Sequence, residues 1–553
     1  MLRRLWIPAF VLLALPLLAR AAPPARLPLR GFAVDAARMP ETMDHYQRLV
    51  RFCADWGMDV LLFRVADDEG SAIRFSSHPE LIYHKHAFTP DEVRGWVSYA
   101  KQYGIEVIPE LESFGHTEYI TRAPEHAELE DRDPSCGGFT GLIPTHPKGL
   151  RILADLYREM AAIFPSKYLH GGCDEVNWGG SEYSKNLLKN QTRPQVYAEH
   201  VNTLNRLAKA EGKELIVWAD HVLYKEPGIL PLLDKDIILY DWNYWETDPA
   251  VLEKTARQAI DNGQRIIGGP AWGWCRFGPR VDSQQLGNID AYVDAYRRID
   301  DARNLGVIVT NWVPSRYLQN SIWDGIAYAG VALNEGSAAA RDTAFRRFAE
   351  RHYGAAWNDI WADVFRSVYD LAPHGRLCPG YPGLPMPTPW SDEDGLTAAV
   401  NDKMSQIPPF TRLLGQIRMC QSGVKRNFAD FQAFQLSVEY LENAYWRHVL
   451  PGLEARGNLT RESAADLIRT IAERDRQLVD ALNAEWNRGR FPDAPQLTHD
   501  MRDLNDSRPK LLLRGQEQLL FNMREAAKFS AQLAVDPERF YQILLRAGRS
   551  SKD

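Results

Sequence analysis

Between about residues 28 and 340, short apolar runs rich in β-branched residues alternate with longer stretches whose apolar residues recur at helical spacing. Eight such runs stand out: Gly31 to Val34, Asp59 to Val65, Ile105 to Glu110, Tyr168 to Gly172, Leu215 to Trp218, Ile237 to Tyr240, Arg265 to Gly268 and Val307 to Thr310. Ala329 to Leu333 is a surplus candidate that competes with the Val307 run for the last place. Helices are expected over Pro40–Trp56, from an N-cap at Thr89 with Pro90 in the first turn, and over Lys148–Phe164. Alternation of this kind makes parallel sheet, and eight units predict a closed (β/α)8 TIM barrel. An open doubly wound sheet is the alternative, although no Gly-rich phosphate loop follows the first run.

Polar and aromatic residues cluster just after these runs. Asp67-Asp68, Glu112 to His116, Asp174-Glu175, Trp218 to Asp220, Asp241 to Trp245, Trp272 to Trp274 and Asn311-Trp312 all stand in that position. Barrel enzymes build their sites at the C-terminal ends of the strands, so the recurrence predicts one shared pocket. Beyond about residue 341 the texture changes. Phe345–Tyr353 and Trp357–Leu371 look helical, Pro379 to Pro389 is a Pro/Gly-rich break, and Thr397 to Asp553 reads as long amphipathic helices. The expected organisation is a leader over residues 1–21, a barrel over 28–340 and a separate, mostly α-helical C-terminal domain over 341–553. Phe431, Phe434, Tyr440 and Trp446 fit a helix-packing stripe better than a ligand site.

Composition narrows the function classes. A net charge of −7 gives no basic footprint, so neither nucleic acid nor an anionic membrane surface is an expected partner. Sixteen Trp suit a polar ligand with flat apolar faces, such as a sugar, although most are expected in the core. Met1-Leu2-Arg3-Arg4, the apolar stretch Leu5 to Leu18 and Ala19-Arg20-Ala21 match a signal peptide cleaved after Ala21, leaving no stable membrane span. That predicts an exported protein, periplasmic or secreted. Six scattered cysteines contain no C-x-x-C pair, so no metal site is suggested, and no cofactor is expected.

Chemistry concentrates after the fourth run, in Tyr168-Leu169-His170-Gly171-Gly172-Cys173-Asp174-Glu175-Val176. Neighbouring residues on a strand point to opposite faces, but at a strand end the chain turns and two successive carboxylates can reach one ligand. Paired carboxylates are what glycoside cleavage needs: a proton donor for the leaving oxygen, and an anion for the charge developing at the anomeric carbon. His170, Gly172, Asp174 and Glu175 together resemble the H-x-G-x-D-E signature of family 20 glycoside hydrolases, the β-N-acetylhexosaminidases. Three more segments follow in family order. Arg30-Gly31 to Asp35 resembles the first-strand R-G-x-x-x-D, Ala66 to Gly70 the second-strand acidic segment, and Pro109 to His116 the P-E-x-D-x-x-G-H segment, with Glu112 where Asp is usual.

The resemblance implies an exo-acting, retaining, substrate-assisted reaction on terminal GlcNAc or GalNAc of a glycan or amino-sugar oligosaccharide. Glu175 is then the general acid and base, starting protonated, and Asp174 the anion that holds the 2-acetamido group while its carbonyl oxygen attacks the anomeric carbon. Arg30 and Asp67 would bind sugar hydroxyls, and His116 with Glu112 would form a supporting hydrogen-bonded pair beside His170. Trp218, Asp220, Tyr240, Trp242, Tyr244, Trp272 and Trp312 are candidate pocket walls, of which three or four should touch ligand and the rest pack the barrel. The usual last-strand Trp-x-Glu has no counterpart, and Gly171 and Cys173 replace the usual bulky and small residues. A catalytically idle, glycan-binding barrel is the alternative.

Overall fold

The computed structural model describes residues 26–136, 139–273, 283–371, 390–401, 410–454, 459–491 and 518–549. The leader, Trp274, Cys275, Cys378 and the Pro379–Pro389 break lie outside them. Eight parallel strands form the barrel: β1 (Leu29–Asp35), β2 (Val60–Asp67), β3 (Glu106–Leu111), β4 (Tyr168–His170), β5 (Glu214–Trp218), β6 (Ile238–Asp241), β7 (Arg265–Gly268) and β8 (Asn304–Asn311). β1 pairs with both β2 and β8, with Gly31 opposite Val60 and Leu29 opposite Gly306, so the sheet closes on itself. A Cβ on Gly31 would meet the Val60 carbonyl oxygen at 2.9 Å, which keeps that position small.

Seven helices pack outside: α1 (Met43–Asp55), α2 (Pro90–Gln102), α3 (Pro147–Ile163), α4 (Arg193–Ala210), α5 (Pro249–Asp261), α6 (Ser283–Arg298) and α7 (Trp323–Glu335). Thr89 caps α2 as expected and closes a capping box with Glu92. Between β5 and β6 the chain makes a π-turn and a 3-10 turn, over Asp220–Lys225 and Pro227–Leu232. The surplus candidate Ala329 to Leu333 is not a strand but the middle of α7. Trp323 to Leu333 are buried without a break, so no polar stripe marks the helical period and the run reads as a buried strand.

Period-two alternation sets what the barrel holds. Val60, Leu62, Ile108, Tyr168, Ile216, Ile238, Ile267 and Ile308 fill its interior. One step further toward the C-terminal ends, the inward positions carry Arg64, Glu110, His170, Trp218 and Tyr240. A polar layer therefore caps an apolar one.

Beyond α7 the described chain is helical: α8 (Ser337–Phe348), α9 (Asp359–Leu371), α10 (Glu393–Asn401), α11 (Phe410–Gln421), α12 (Phe428–Glu454), α13 (Arg461–Trp486), α14 (Gln518–Val535) and α15 (Pro537–Arg549). One apolar cluster runs from the barrel helices through Phe348, Phe365, Ile417, Phe431 and Phe434 without a break at residue 340. Past the end of α13, buried Arg490 lies over Trp486, pairs with Glu41 after β1 and donates to the Pro314 carbonyl oxygen after β8 at 3.0 Å. The helical region thus grips two loops of the barrel's C-terminal face.

Arg30 corrects one expectation. It sits at the N-terminal start of β1, the end of the barrel opposite the strand C-termini, and pairs with Asp59 and with Asn334 Oδ1 at 2.6 Å, at the end of α7. It is a barrel-closing residue, because β1 runs away from it and reaches the site only at Asp35, five residues later. Arg30→Ala should lower stability by about 2 kcal/mol in urea unfolding, the cost of stranding a partly buried partner, and leave sugar affinity unchanged. A loss of affinity at unchanged stability would return Arg30 to the pocket.

Candidate active site

The site is organised by a buried cation. Arg64, on β2, has 2% of its side chain exposed and is held by Glu110 and by Asp67, while Glu112 accepts from its Nη1 at 2.8 Å. Burial alone would discharge it, but the surrounding Glu110, Asp67, Glu112 and Asp174 carboxylates hold it cationic. The acids share its charge unequally. Burial pushes Glu110 up to about 7 and Glu112 well above the carboxylate range, against the pull of Arg64. For Asp67 the two guanidinium groups of Arg38 and Arg64 overcome burial and hold it well below its ordinary value.

Glu112 shapes the turn that presents Asp174 and Glu175. Its Oε2 accepts the Cys173 amide at 3.1 Å, and its carboxylate fills the space a side chain at residue 172 would need: a Cβ on Gly172 would lie 2.0 Å from Oε2. Gly172 also has φ +66°, so the glycine of H-x-G-x-D-E is required twice over. His170 is neutral and buried; its Nδ1 accepts the Gly172 amide at 3.0 Å, which places the ring proton on Nε2. Cys173 at φ +79° and Glu175 at φ +47° continue an unusual left-handed path. The Glu175 amide is fixed by Asp220 Oδ2 at 3.1 Å, itself paired with Lys225 at 2.6 Å.

This path brings both carboxylates to one imidazole. His116 Nε2 lies 3.3 Å from Glu175 Oε2 and 3.7 Å from Asp174 Oδ2, while its Nδ1 is 2.8 Å from Asp68 Oδ2. Despite burial, Asp67, Asp68 and Asp174 hold His116 well above the ordinary histidine value, as an imidazolium. The expected His116–Glu112 pair is therefore replaced: Asp68 takes the histidine and Arg64 the glutamate. Burial pushes Asp174 up, only partly offset by His116 and Arg64. Glu175 goes down, because the hydrogen bond and charge of His116 outweigh burial. Without sugar the two acids thus stand opposite to the expected order, Glu175 being the readier anion. Among the described residues no hydrogen-bond partner reaches the buried Asp174 Oδ1, whereas the Glu175 side chain is 39% exposed.

The aromatic candidates sort by burial. Trp218, bonded to Glu110 through Nε1, and Tyr240, bonded to the Ile308 carbonyl oxygen, stack on each other inside the barrel. Trp272 is packed against Gly325 of α7. These three are packing residues. Trp242 and Tyr244 are ring neighbours at the mouth, with Trp312 donating to the Tyr244 hydroxyl at 2.8 Å and exposed Trp245 beside them.

Two further residues belong to the assembly and were not singled out in the sequence. Arg64 is one. Arg38 bridges Asp35 and Asp67 at 3.0 Å each and lies beside the Trp312 ring, in the place where Arg30 was expected. An arginine inside the apolar run Val60-Leu-Leu-Phe-Arg64 was the available signal, since an unpaired buried charge would be prohibitive.

Residues 27–274 match the family described as glycosyl hydrolase family 20, catalytic domain. That segment is similar to the family's catalytic domain. Among curated relatives of the family 20 barrel, lacto-N-biosidase of Bifidobacterium bifidum is 25% identical over 310 residues, 51% of this chain and 25% of that protein. A β-hexosaminidase of Vibrio furnissii is 27% identical over 269 residues, 43% of this chain and 42% of that protein. The chain therefore aligns with under half the length of either relative. A chitobiase structure from Flavobacterium johnsoniae superposes at a TM-score of 0.49 with 19% identity, covering 80% of this chain and 75% of that one.

Two outcomes check this geometry. At pH 8 both ring nitrogens of His116 should carry protons in a nitrogen-edited spectrum, and a neutral ring would contradict the carboxylate cage. Gly172→Ala should cost about 2 kcal/mol or more in urea unfolding, from strain at positive φ and displacement of Glu112; a neutral effect would show that the contact is dispensable.

Proposed function

We propose that the chain is an exo-acting, retaining β-N-acetylhexosaminidase that cleaves terminal GlcNAc or GalNAc from amino-sugar glycans by substrate assistance. The observation that carries the reading is the convergence of Asp174 and Glu175 on one nitrogen of His116. Acids held on the same imidazole cannot flank a glycosidic bond from opposite sides, so an enzyme nucleophile paired with an enzyme acid fits poorly. The attacking atom then comes from the substrate. Its acetamido oxygen closes on the anomeric carbon, giving a cyclic oxazolinium as the glycosidic bond breaks.

In this reading the orphaned Oδ1 of Asp174 accepts the acetamido N–H, which satisfies a buried acceptor and stabilises positive charge growing on nitrogen. Glu175, the more exposed of the pair, passes a proton to the departing oxygen and later takes one from water. A sugar seated on Asp174 excludes water from Glu175 and raises its proton affinity, reversing the order of the free state. Trp312, Trp242 and Tyr244 supply the walls, and Arg38 and Asp67 supply groups for the outer hydroxyls. The helical region after α7 shares the barrel's apolar core and steadies the loops after β1 and β8. The charged and apolar start of the chain supports export, to the periplasm or beyond the cell.

Hydrolysis of an aryl β-N-acetylglucosaminide but not the matching β-glucoside is expected. Asp174→Asn and Glu175→Gln should each lower kcat at least about 100-fold. Comparable glucoside turnover would sink substrate assistance, and sugar binding without turnover would favour the idle, glycan-binding barrel. His116→Asn removes a cation that holds Asp174 down. The acidic limb of kcat/KM should therefore move to higher pH; an unmoved limb would count against the cage.

A further inference from the structure

A second convergence of imidazole and carboxylate lies among residues that the reaction does not use. After the short strand Gly70–Ile73, the loop carries His78 and Glu80; the 3-10 turn Pro124–Leu129, beyond the loop that bears His116, carries His126. His78 Nδ1 and His126 Nε2 each lie 2.8 Å from the same oxygen, Oε1 of Glu80. The two rings stand nearly edge to face, 6.2 Å apart. Three potential donor atoms thus fall within 4.8 Å of one another. The two other groupings of this kind among the described residues, around His116, belong to the site above.

We propose that His78, Glu80 and His126 bind a divalent transition-metal ion of zinc's class. Two imidazole nitrogens and one carboxylate oxygen are a borderline donor set, which zinc takes readily, whereas calcium and magnesium favour oxygen alone. Bonds of about 2.0–2.1 Å place donors of a tetrahedral zinc about 3.3 Å apart. An opening of about half an ångström from the 2.8 Å contacts admits the ion. Glu80 is 27% exposed, which leaves a route in and a position for water.

The surroundings hold the donors in place. Asp155 Oδ2 lies 3.5 Å from His78 Nε2, the nitrogen left over when Nδ1 ligates, as metal-bound histidines commonly have a carboxylate behind them. Glu159, one turn along the same helix α3, accepts the Ser76 and Ser77 amides at 2.7 and 3.0 Å. Lys148, in the first turn of α3, pairs with Glu128 in the turn that carries His126. Glu80 is the carboxylate of the donor set. With Asp155 it supplies two negative charges against a dication. Once bound, the ion fastens the segment after β2 to the segment after β3, the two that carry Asp68 and His116.

The test uses tag-free full-length protein stripped with a chelator and titrated with zinc chloride by calorimetry. Metal content is read after desalting. One zinc per chain is expected, together with a rise in melting temperature. Glu80→Gln and His126→Asn should abolish both while keeping the metal-free circular dichroism spectrum. Asp155→Asn should weaken binding about tenfold. Wild type that retains no zinc would overturn the proposal. So would equal zinc binding by the wild type and the two ligand variants, which would place the ion elsewhere. The closeness of the three side chains would then be a hydrogen-bonded triad only.

Discussion

A guanidinium sealed beneath the mouth of the barrel sets the terms for everything around it. Arg64 can stay charged there only because Asp67, Glu110 and Glu112 converge on it, and those acids can stay buried only because Arg64 is present. Removing one member of such an assembly costs about 3–5 kcal/mol, since it strands the others. Each acid also holds something else. Glu110 holds the Trp218 indole, Asp67 meets Arg38, and Glu112 fixes the Cys173 amide and occupies the space that keeps residue 172 a glycine. The turn that carries Asp174 and Glu175 is therefore set by electrostatics one layer below it. His116 repeats the arrangement, a single cation caged by Asp68, Asp174 and Glu175.

The helical region enters the same accounting through Arg490. Its pairing with Glu41 and the Pro314 carbonyl oxygen ties the loop after β1 to the loop after β8. Those loops carry Arg38 and the Val313 amide, which donates to Asp35 at 2.9 Å, and they flank Trp312. Phe491 stacks on His86 at 4.2 Å, adding an apolar contact at the same place. A barrel cut away at residue 340 would lose these ties and leave Glu41 buried without its cation.

The eight strands were legible because strands buried on both faces read as continuous apolar runs between helical stretches, and the carboxylate pair because it follows a strand within a specific motif. What could not be read was partnership. Arg30 and Arg38 flank the same strand, and only the direction of β1 shows that Arg38 faces the site. Arg64 sits inside an apolar run, and its buried charge is there because Asp67 nearby and Glu110 and Glu112 from β3 and the turn after it balance it. Ala329 to Leu333 misled because a helix buried on all sides loses the periodic signal. The expected order of Asp174 and Glu175 came from the family resemblance, whereas their order in the structure follows burial and the charge of His116.

The central claim is that Asp174 and Glu175 act on an acetamido group which itself supplies the nucleophile. The direct measurement is the affinity of the thiazoline analogue of the cyclic N-acetylglucosamine intermediate, compared with N-acetylglucosamine, in the wild type and in Asp174→Asn. The account predicts binding at least about 100-fold tighter for the thiazoline, with most of that advantage lost in the variant. Equal affinities for the two ligands, or an advantage unchanged by Asp174→Asn, would contradict it.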